Sequence, residues 1–443
     1  MFRRALLLTA GLGVVLSACS SAAYSPTPSQ RVATQAGDAS VARKPALSFS
    51  SPGTGLTVLY SFRPAPDGSV PLGGVVIDKS GSIFGTASSG GVSGNGAVFA
   101  LKRNGIGYSE AIIHSFDATD GASPNAAPFE AGSGDLLVTA SAGGGSGQYG
   151  TVIELSPQGN GYGETALFAF DSTDGATPNA GLLQSGGALY TTTSGGGANG
   201  YGNIVMVDAS TLSATDVYDF QNAPDGASPD SALVADASGA LYGTTYYGGS
   251  GECPQGNHLF YHCGTVFKFV PSPSGGRETV LWTFQGGNDG ASPYGGLLVD
   301  EHGNLYGTTV FGGDPNCGGE GHPDGCGTVF KLTPQKGGQY VETILHNFKS
   351  SPDGRYPYGG LVDKDGMLYG TTEFGGSAAK CAIGCGTLFA LSTSGADYAV
   401  LHRFKGSDGA NPASGLLAKG SALYGTTASG GSTGNGVVFR FVP

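Results

Sequence analysis

Asp289-Gly-Ala-Ser-Pro-Tyr-Gly-Gly-Leu-Leu-Val-Asp300, then Gly303-Asn-Leu-Tyr-Gly-Thr-Thr309, Cys326-Gly-Thr-Val-Phe-Lys-Leu332 and Glu342-Thr-Ile-Leu-His-Asn-Phe348, make up one complete unit of a repeat. Its Asp-Gly pair recurs at Asp67, Asp120, Asp174, Asp225, Asp289, Asp353 and Asp408, at spacings of 53, 54, 51, 64, 64 and 55 residues. Each pair follows a Phe, and a Pro stands three residues beyond each Gly. In the fifth unit four short runs rich in β-branched and aromatic residues lie between Gly, Pro, Asn and Asp clusters, which predicts strands at Gly295–Asp300, Asn304–Thr309, Gly327–Leu332 and Glu342–Phe348. Four strands in about 50 residues is the signature of a propeller blade, so seven units predict an all-β, seven-bladed propeller over residues 56–443. A β-solenoid is the alternative, though its rungs are normally shorter.

Ring closure is also readable. A strand like Leu345-His-Asn-Phe348 normally ends a unit, yet Thr57–Phe62 stands before the first Asp-Gly and the chain ends at the third strand of a unit, Val437–Val442. The N-terminal strand is therefore expected to complete the last blade and hide an open edge.

Leu-Tyr-Gly-Thr-Thr, Gly-Gly and Gly-Thr-Val-Phe-Lys-Leu resemble the tandem repeat of choice-of-anchor, GloVer-type bacterial surface proteins, and the order of motifs is distantly kelch-like. The resemblance spans about residues 56 to 443 and implies a surface protein carried by a variable anchor. It brings no agreed activity or catalytic residues. The second unit departs from it with Leu137-Val-Thr-Ala140, and the third with Tyr190-Thr-Thr192.

Met1-Phe-Arg-Arg4 and the apolar run Ala5–Val15 read as an export signal, too short to span a bilayer as a helix. Leu16-Ser-Ala-Cys19 resembles the lipobox of bacterial lipoproteins, which implies a signal peptide over 1–18, cleavage before Cys19 and lipidation of that residue. The expected partner is thus a membrane, held through acyl chains, with Ser20 pointing to the outer membrane. Residues 19–55, rich in Ser, Ala, Thr and Pro, read as the lipidated cysteine and a disordered tether.

The chain is 39% hydrophobic and 12% charged, with 81 Gly, and its formal charge is −12. The glycines recur in register, so they read as turn and close-packing positions rather than disorder. No Lys/Arg-rich run is present, which argues against a nucleic-acid partner. A monomer without a cofactor is expected.

The Asp-Gly turn reverses the chain between blades. No Asp-x-Asp-x-Asp spacing supplies the oxygens calcium prefers, so a structural role is expected. A ring residue stands two before each repeat Phe: Tyr60, His114, Phe168, Tyr218, Trp282, His346 and His402. Its three histidines belong to separate blades, which favours inter-blade packing over metal binding. Besides Cys19 there are six cysteines, Cys253 and Cys263, Cys317 and Cys326, Cys381 and Cys385, each pair in the loop between strands two and three. Three local disulfides are expected in an exported chain. Zinc, with His258, His262 and His322 nearby, is the alternative.

Units four to six also carry an aromatic before Gly-Gly: Tyr247, Phe311 and Phe374, where units one and seven have Ser89 and Ser429. Either each ring packs on its own disulfide or the rings form a ridge that meets sugar or partner. The residue after each Pro, Leu72, Asn125, Asn179, Asp230, Tyr294, Tyr358 and Ala413, is expected at the channel mouth, and it varies inside an otherwise strict repeat. Asn125, Asn179, Asp230, Tyr247, Tyr294, Phe311, Tyr358 and Phe374 are therefore the candidate ligand contacts. No nucleophile elbow, His-Glu-x-x-His or phosphate-cradling loop is present, so no catalytic residue is assigned. A binding or scaffold role for glycan or protein is the leading expectation. A carbohydrate-active hydrolase or lyase using Asp230 with Glu252, Asp314 or Glu373 is the alternative, and a purely structural surface protein is the third.

Overall fold

The computed structural model describes residues 55–443 except 106, 160, 209–210, 212, 251–252, 254–262, 274, 318–324 and 377–380. The lipobox, Cys19, the tether and Glu252 lie outside the described residues, as do His258, His262 and His322.

Seven four-stranded antiparallel sheets follow one another along the chain. Blade 1 runs Val75–Ile77, Ile83–Ala87, Ala97–Asn104, Gly107–Ser115, and blade 2 Phe129–Glu130, Leu136–Ala140, Thr151–Gln158, Gly161–Ala169. Blade 3 is Leu183–Ser185, Ala188–Thr193, Asn203–Asp208, Ser213–Asp219, and blade 4 Val234–Ala235, Leu241–Thr245, Thr265–Ser272, Gly275–Thr283. Blade 5 is Leu298–Val299, Leu305–Thr309, Thr328–Pro334, Tyr340–Asn347, and blade 6 Val362–Lys364, Met367–Thr372, Thr387–Ser392, Ala399–Arg403. Blade 7 takes Leu417–Lys419, Ala422–Thr427 and Val437–Val442 from the C-terminus and Gly55–Ser61 from the N-terminal side. That last strand pairs antiparallel from Gly55 opposite Val442 to Ser61 opposite Val437, which closes the ring as the sequence predicts. The fold is a seven-bladed propeller.

The repeat motif now has a physical reading. In Leu-Tyr-Gly-Thr-Thr the Gly lies opposite the Phe of the next strand: Gly85 faces Phe99, Gly243 Phe267, Gly307 Phe330, Gly370 Phe389 and Gly425 Phe439. A Cβ on these glycines would meet the ring at 2.4–2.7 Å. The two departing units compensate in volume, with Val138 opposite Ile153 and Thr191 opposite Val205. At five seams the third-strand Phe meets the Phe that ends the preceding blade, with centroids 4.9 Å apart for Phe62–Phe99, 5.1 Å for Phe220–Phe267 and Phe348–Phe389, 5.2 Å for Phe284–Phe330 and 5.4 Å for Phe404–Phe439. All ten rings are fully buried. Such edge-to-face pairs add about 0.5–1.5 kcal/mol each beyond their area.

The two threonines divide the polar work. In most units the first donates to the inner backbone of the next blade, as in Thr86 to Ala126 O (2.7 Å), Thr308 to Gly359 O (3.2 Å) and, across the closure, Thr426 to Gly73 O (3.0 Å). The second stays within its blade: Thr309 Oγ1 meets Thr328 Oγ1 at 2.9 Å and Phe311 O at 2.8 Å. These bonds satisfy groups that burial would otherwise leave costly. The innermost strand is shorter than the sequence predicts, Leu298–Val299 instead of six residues. The glycine before it lies against the next blade instead, where a Cβ on Gly295 would meet Gly359 backbone at 2.8 Å.

Candidate functional site

The ring residues and the Asp-Gly aspartates belong together, which the sequence reading missed. Tyr60 and Tyr218 hydroxyls donate to Asp67 and Asp225 at 2.6 Å, and Trp282 Nε1 donates to Asp289 at 3.3 Å. His346 and His402 Nε2 lie 3.0 Å from Asp353 and Asp408, and His114 Nε2 2.9 Å from Asp120. The aspartates also accept the backbone N–H that opens each turn, as Asp353 does from Lys349 at 3.1 Å. The signal was present: six of the seven rings carry a ring N–H or hydroxyl. The exception, Phe168, leaves Asp174 without a ring donor.

A second layer covers these pairs. Glu110, Glu278 and Glu342, each four residues before its blade's ring, come against the neighbouring blade's Asp67, Asp225 and Asp289, and burial pushes their carboxyls up to about 7, 8 and 10. Each neighbouring carboxylate adds to the shift. His114, Asp120 and Glu164 bring ligand atoms within 4.8 Å of one another, the one such metal-compatible group among the described residues. They are the same ring, turn and seam positions that serve packing elsewhere, so they point to structure.

All three expected disulfides are present, Cys253–Cys263, Cys317–Cys326 and Cys381–Cys385. Each closes the loop that enters a third strand. Tyr247, Phe311 and Phe374 pair through backbone with the residue after the Asp-Gly, at Ala227, Ala291 and Arg355. The turns and cysteine loops thus share one face. The three side chains are half-buried and lie in chains of rings, with Phe311–Tyr356 centroids at 5.4 Å, Tyr356–Phe374 at 6.1 Å and Tyr246–Tyr247 at 4.5 Å.

On the axis lies a cavity of about 830 Å³, lined by residues in or just before the inner strands of all seven blades. Leu72, Asn125, Asn179, Asp230, Tyr294, Tyr358 and Ala413 all line it, joined by Glu373. Its two sides differ. Across blades 2 to 4, Asn125 Nδ2 donates to Asn179 Oδ1 (3.1 Å) and Asn179 Nδ2 to Asp230 Oδ1 (2.8 Å). The carboxylate only accepts, so it fixes which way both amides face. Ser141 and Ser194 hold the amides from behind, at 3.1 and 3.4 Å.

Blades 4 to 6 supply rings. Tyr246 stands edge-on to Tyr294 at 5.9 Å, and Tyr294 edge-on to Tyr358 at 5.3 Å. Burial, with the Glu373 charge adding to it, pushes the Tyr358 phenol up to about 12, and burial raises Tyr246 and Tyr294 too. These phenols stay protonated and can donate. Burial raises Asp230, opposed by its bonds from Asn179 and Ser194, whereas burial alone pushes Glu373 up to about 7. The two carboxyls stand on blades 4 and 6, with the blade 5 tyrosine between them.

The sequence matches the Gloeobacter/Verrucomicrobia repeat over residues 45–193, 127–322 and 318–443. No curated protein matches it. Among solved structures it is similar to a gluconolactonase from Xanthomonas campestris, with 17% identity, a TM-score of 0.41, and 71% of this chain and 85% of that one covered. It is also similar to a Bacteroides uniformis protein described as a 6-phosphogluconolactonase, with 11% identity, a TM-score of 0.43, and 74% and 85% covered. With matches that together run from residue 45 to the last residue, the chain belongs to the Gloeobacter/Verrucomicrobia repeat family.

Proposed function

We propose that this propeller is an exported glycan-binding module whose ligand enters the axial cavity. The observation that carries the reading is the pairing of a hydrogen-bonded rail, Asn125–Asn179–Asp230, with a tyrosine wall, Tyr294 and Tyr358, across one cavity. Amide and carboxylate groups with fixed direction suit sugar hydroxyls, and aromatic rings suit the apolar face of a pyranose. Neither feature is needed by the repeat, because blades 1 and 7 put Leu72 and Ala413 at the same position. The three disulfides fit an exported chain. Cys19 is proposed as its lipid attachment point, which would hold the propeller at a membrane, the outer one by the residue that follows it.

A second reading is hydrolysis. It is favoured by Glu373, whose carboxyl at about 7 suits a general acid near neutral pH. Asp230 would be its partner.

The test is an oligosaccharide array probed with the chain and with Tyr294→Ala, with reducing-end release measured in parallel. Binding weakened about tenfold by Tyr294→Ala, matching 1–2 kcal/mol for a buried interface aromatic, supports the proposal. Val341→Ser, on the exposed outer strand of blade 5, is expected to change nothing. Absence of binding to any sugar sinks it, and release of new reducing ends moves the reading to hydrolysis.

A further inference from the structure

Blade 6 breaks the repeat at two adjacent positions on the mouth face. The residue after the Asp-Gly is Ser69, Ala122, Ala176, Ala227, Ala291 and Ala410 in the other units but Arg355 here. The next is Val70, Ser123, Thr177, Ser228, Ser292 and Asn411 but Tyr356 here. All seven of those next residues have positive φ, 57° for Tyr356. A bulky side chain is rare in that conformation.

Arg355 is only 7% exposed. Its guanidinium lies 5.1 Å from the Tyr356 ring centroid and 5.8 Å from that of Phe374. Its Nε is shut off from solvent with no hydrogen-bond partner, and no carboxylate among the described residues pairs with it. Burying a guanidinium N–H without a partner is costly, and ring contacts offset only part of that cost. Six sister blades show that the fold does without it. The Arg355 choice stands next to Tyr356, whose carbonyl accepts from the N–H of the cavity residue Glu373 at 3.0 Å, and it needs a reason outside the fold.

We infer that Arg355, packed against Tyr356 and Phe374, is an anion-reading subsite, and that the glycan taken by the cavity carries a carboxylate, as a uronic-acid sugar does. This rests on the glycan reading above. A guanidinium is the side chain best matched to a carboxylate, because its planar fork donates two parallel hydrogen bonds. The two rings, whose centroids lie 6.1 Å apart, pack against the guanidinium and hold it in place before the ligand arrives, which lowers the ordering cost of binding. The sugar's hydroxyls then lie toward the rail and its acid toward blade 6.

The experiment titrates the full chain with a panel of uronate oligosaccharides (galacturonate, glucuronate and mannuronate) and with the same sugars after carboxyl reduction. The acidic forms are expected to bind about tenfold tighter or more, the range of a charge-assisted hydrogen bond. Arg355→Ala, which restores the residue of five sister blades, is expected to erase that preference, leave binding of the reduced sugars unchanged and leave melting no lower. Equal binding of acidic and reduced sugars overturns the subsite alone and leaves the glycan reading standing. A variant that melts lower and loses both sugars equally makes Arg355 structural and also overturns it. Failure of every sugar removes the glycan reading together with the subsite, as does capture of a polyglutamate control in place of the sugars.

Discussion

Exchanging the Gly–Phe pair of blade 6 for the Thr–Val pair of blade 3 tests whether each blade is solved locally by volume. A Cβ at Gly370 would come to 2.6 Å from Phe389 Cζ and 3.0 Å from both Phe389 Cε1 and Leu361 Cδ2. Phe389 is fully buried and pinned edge-on by Phe348 at 5.1 Å, so it has nowhere to swing. Gly370→Thr is therefore expected to cost about 3 kcal/mol or more, at the upper end of overpacking. Phe389→Val leaves a cavity at the seam and should cost about 2–4 kcal/mol, somewhat under a Phe→Ala truncation. Together the two changes rebuild the Thr191–Val205 pairing. The double variant should then be more stable than the sum of the single losses by about 1–3 kcal/mol. Denaturant unfolding of the four proteins, compared at a common slope, gives the coupling energy. Additive losses, with a coupling under about 0.5 kcal/mol, would refute the reasoning and show that blade 3 differs for another cause.

Deleting residues 55–61 should leave Val437–Val442 as an open edge and cause aggregation with a lower melting temperature; a monomer of unchanged melting would contradict the closure. Stability should depend on pH through the seam carboxyls: a folded-state value raised to about 10 for Glu342 or 8 for Glu278 means the stabilising contribution is full below the ordinary value near 4.5 and is lost as pH rises through the raised one. Glu342→Gln should flatten that fall between about pH 5 and 10, by an amount on the order of a few kcal/mol, and an unchanged melting–pH profile would count against it. Asp408 runs the other way, since burial is outweighed by its bonds from His402 and the Lys405 N–H, so its contribution is present above the usual value near 3.8 and is lost on further acidification. Cys19→Ala should abolish acyl labelling and membrane-fraction recovery; labelling equal to the parent would remove the lipoprotein proposal.

Much of the architecture was legible because a repeat multiplies weak signals. One Asp-Gly or one Leu-Tyr-Gly-Thr-Thr says little, but seven in register fixed blade number, strand count and closure. The mouth positions were legible for the same reason, since the Pro at each turn places the next residue at a constant point of the blade. What stayed hidden needed the third dimension. That Gly370 makes room for Phe389, or that Tyr218 of one blade lies between Asp225 and Glu278 of the next, depends on which strands face each other. The hydrogen-bonded rail was out of reach because Asn125, Asn179 and Asp230 lie more than 50 residues apart in sequence and meet only on the ring axis. Arg355 was readable as a departure from Ala, but its burial against two rings was not.

A crystal structure of the chain with the tightest-binding oligosaccharide from the array tests the central claim most directly. The account predicts a pyranose in the axial cavity, with hydroxyls on Asn179 and Asp230 and a ring face against Tyr294 or Tyr358. A sugar seated on the outer strands or on the opposite face, with the axial cavity unchanged, would contradict it.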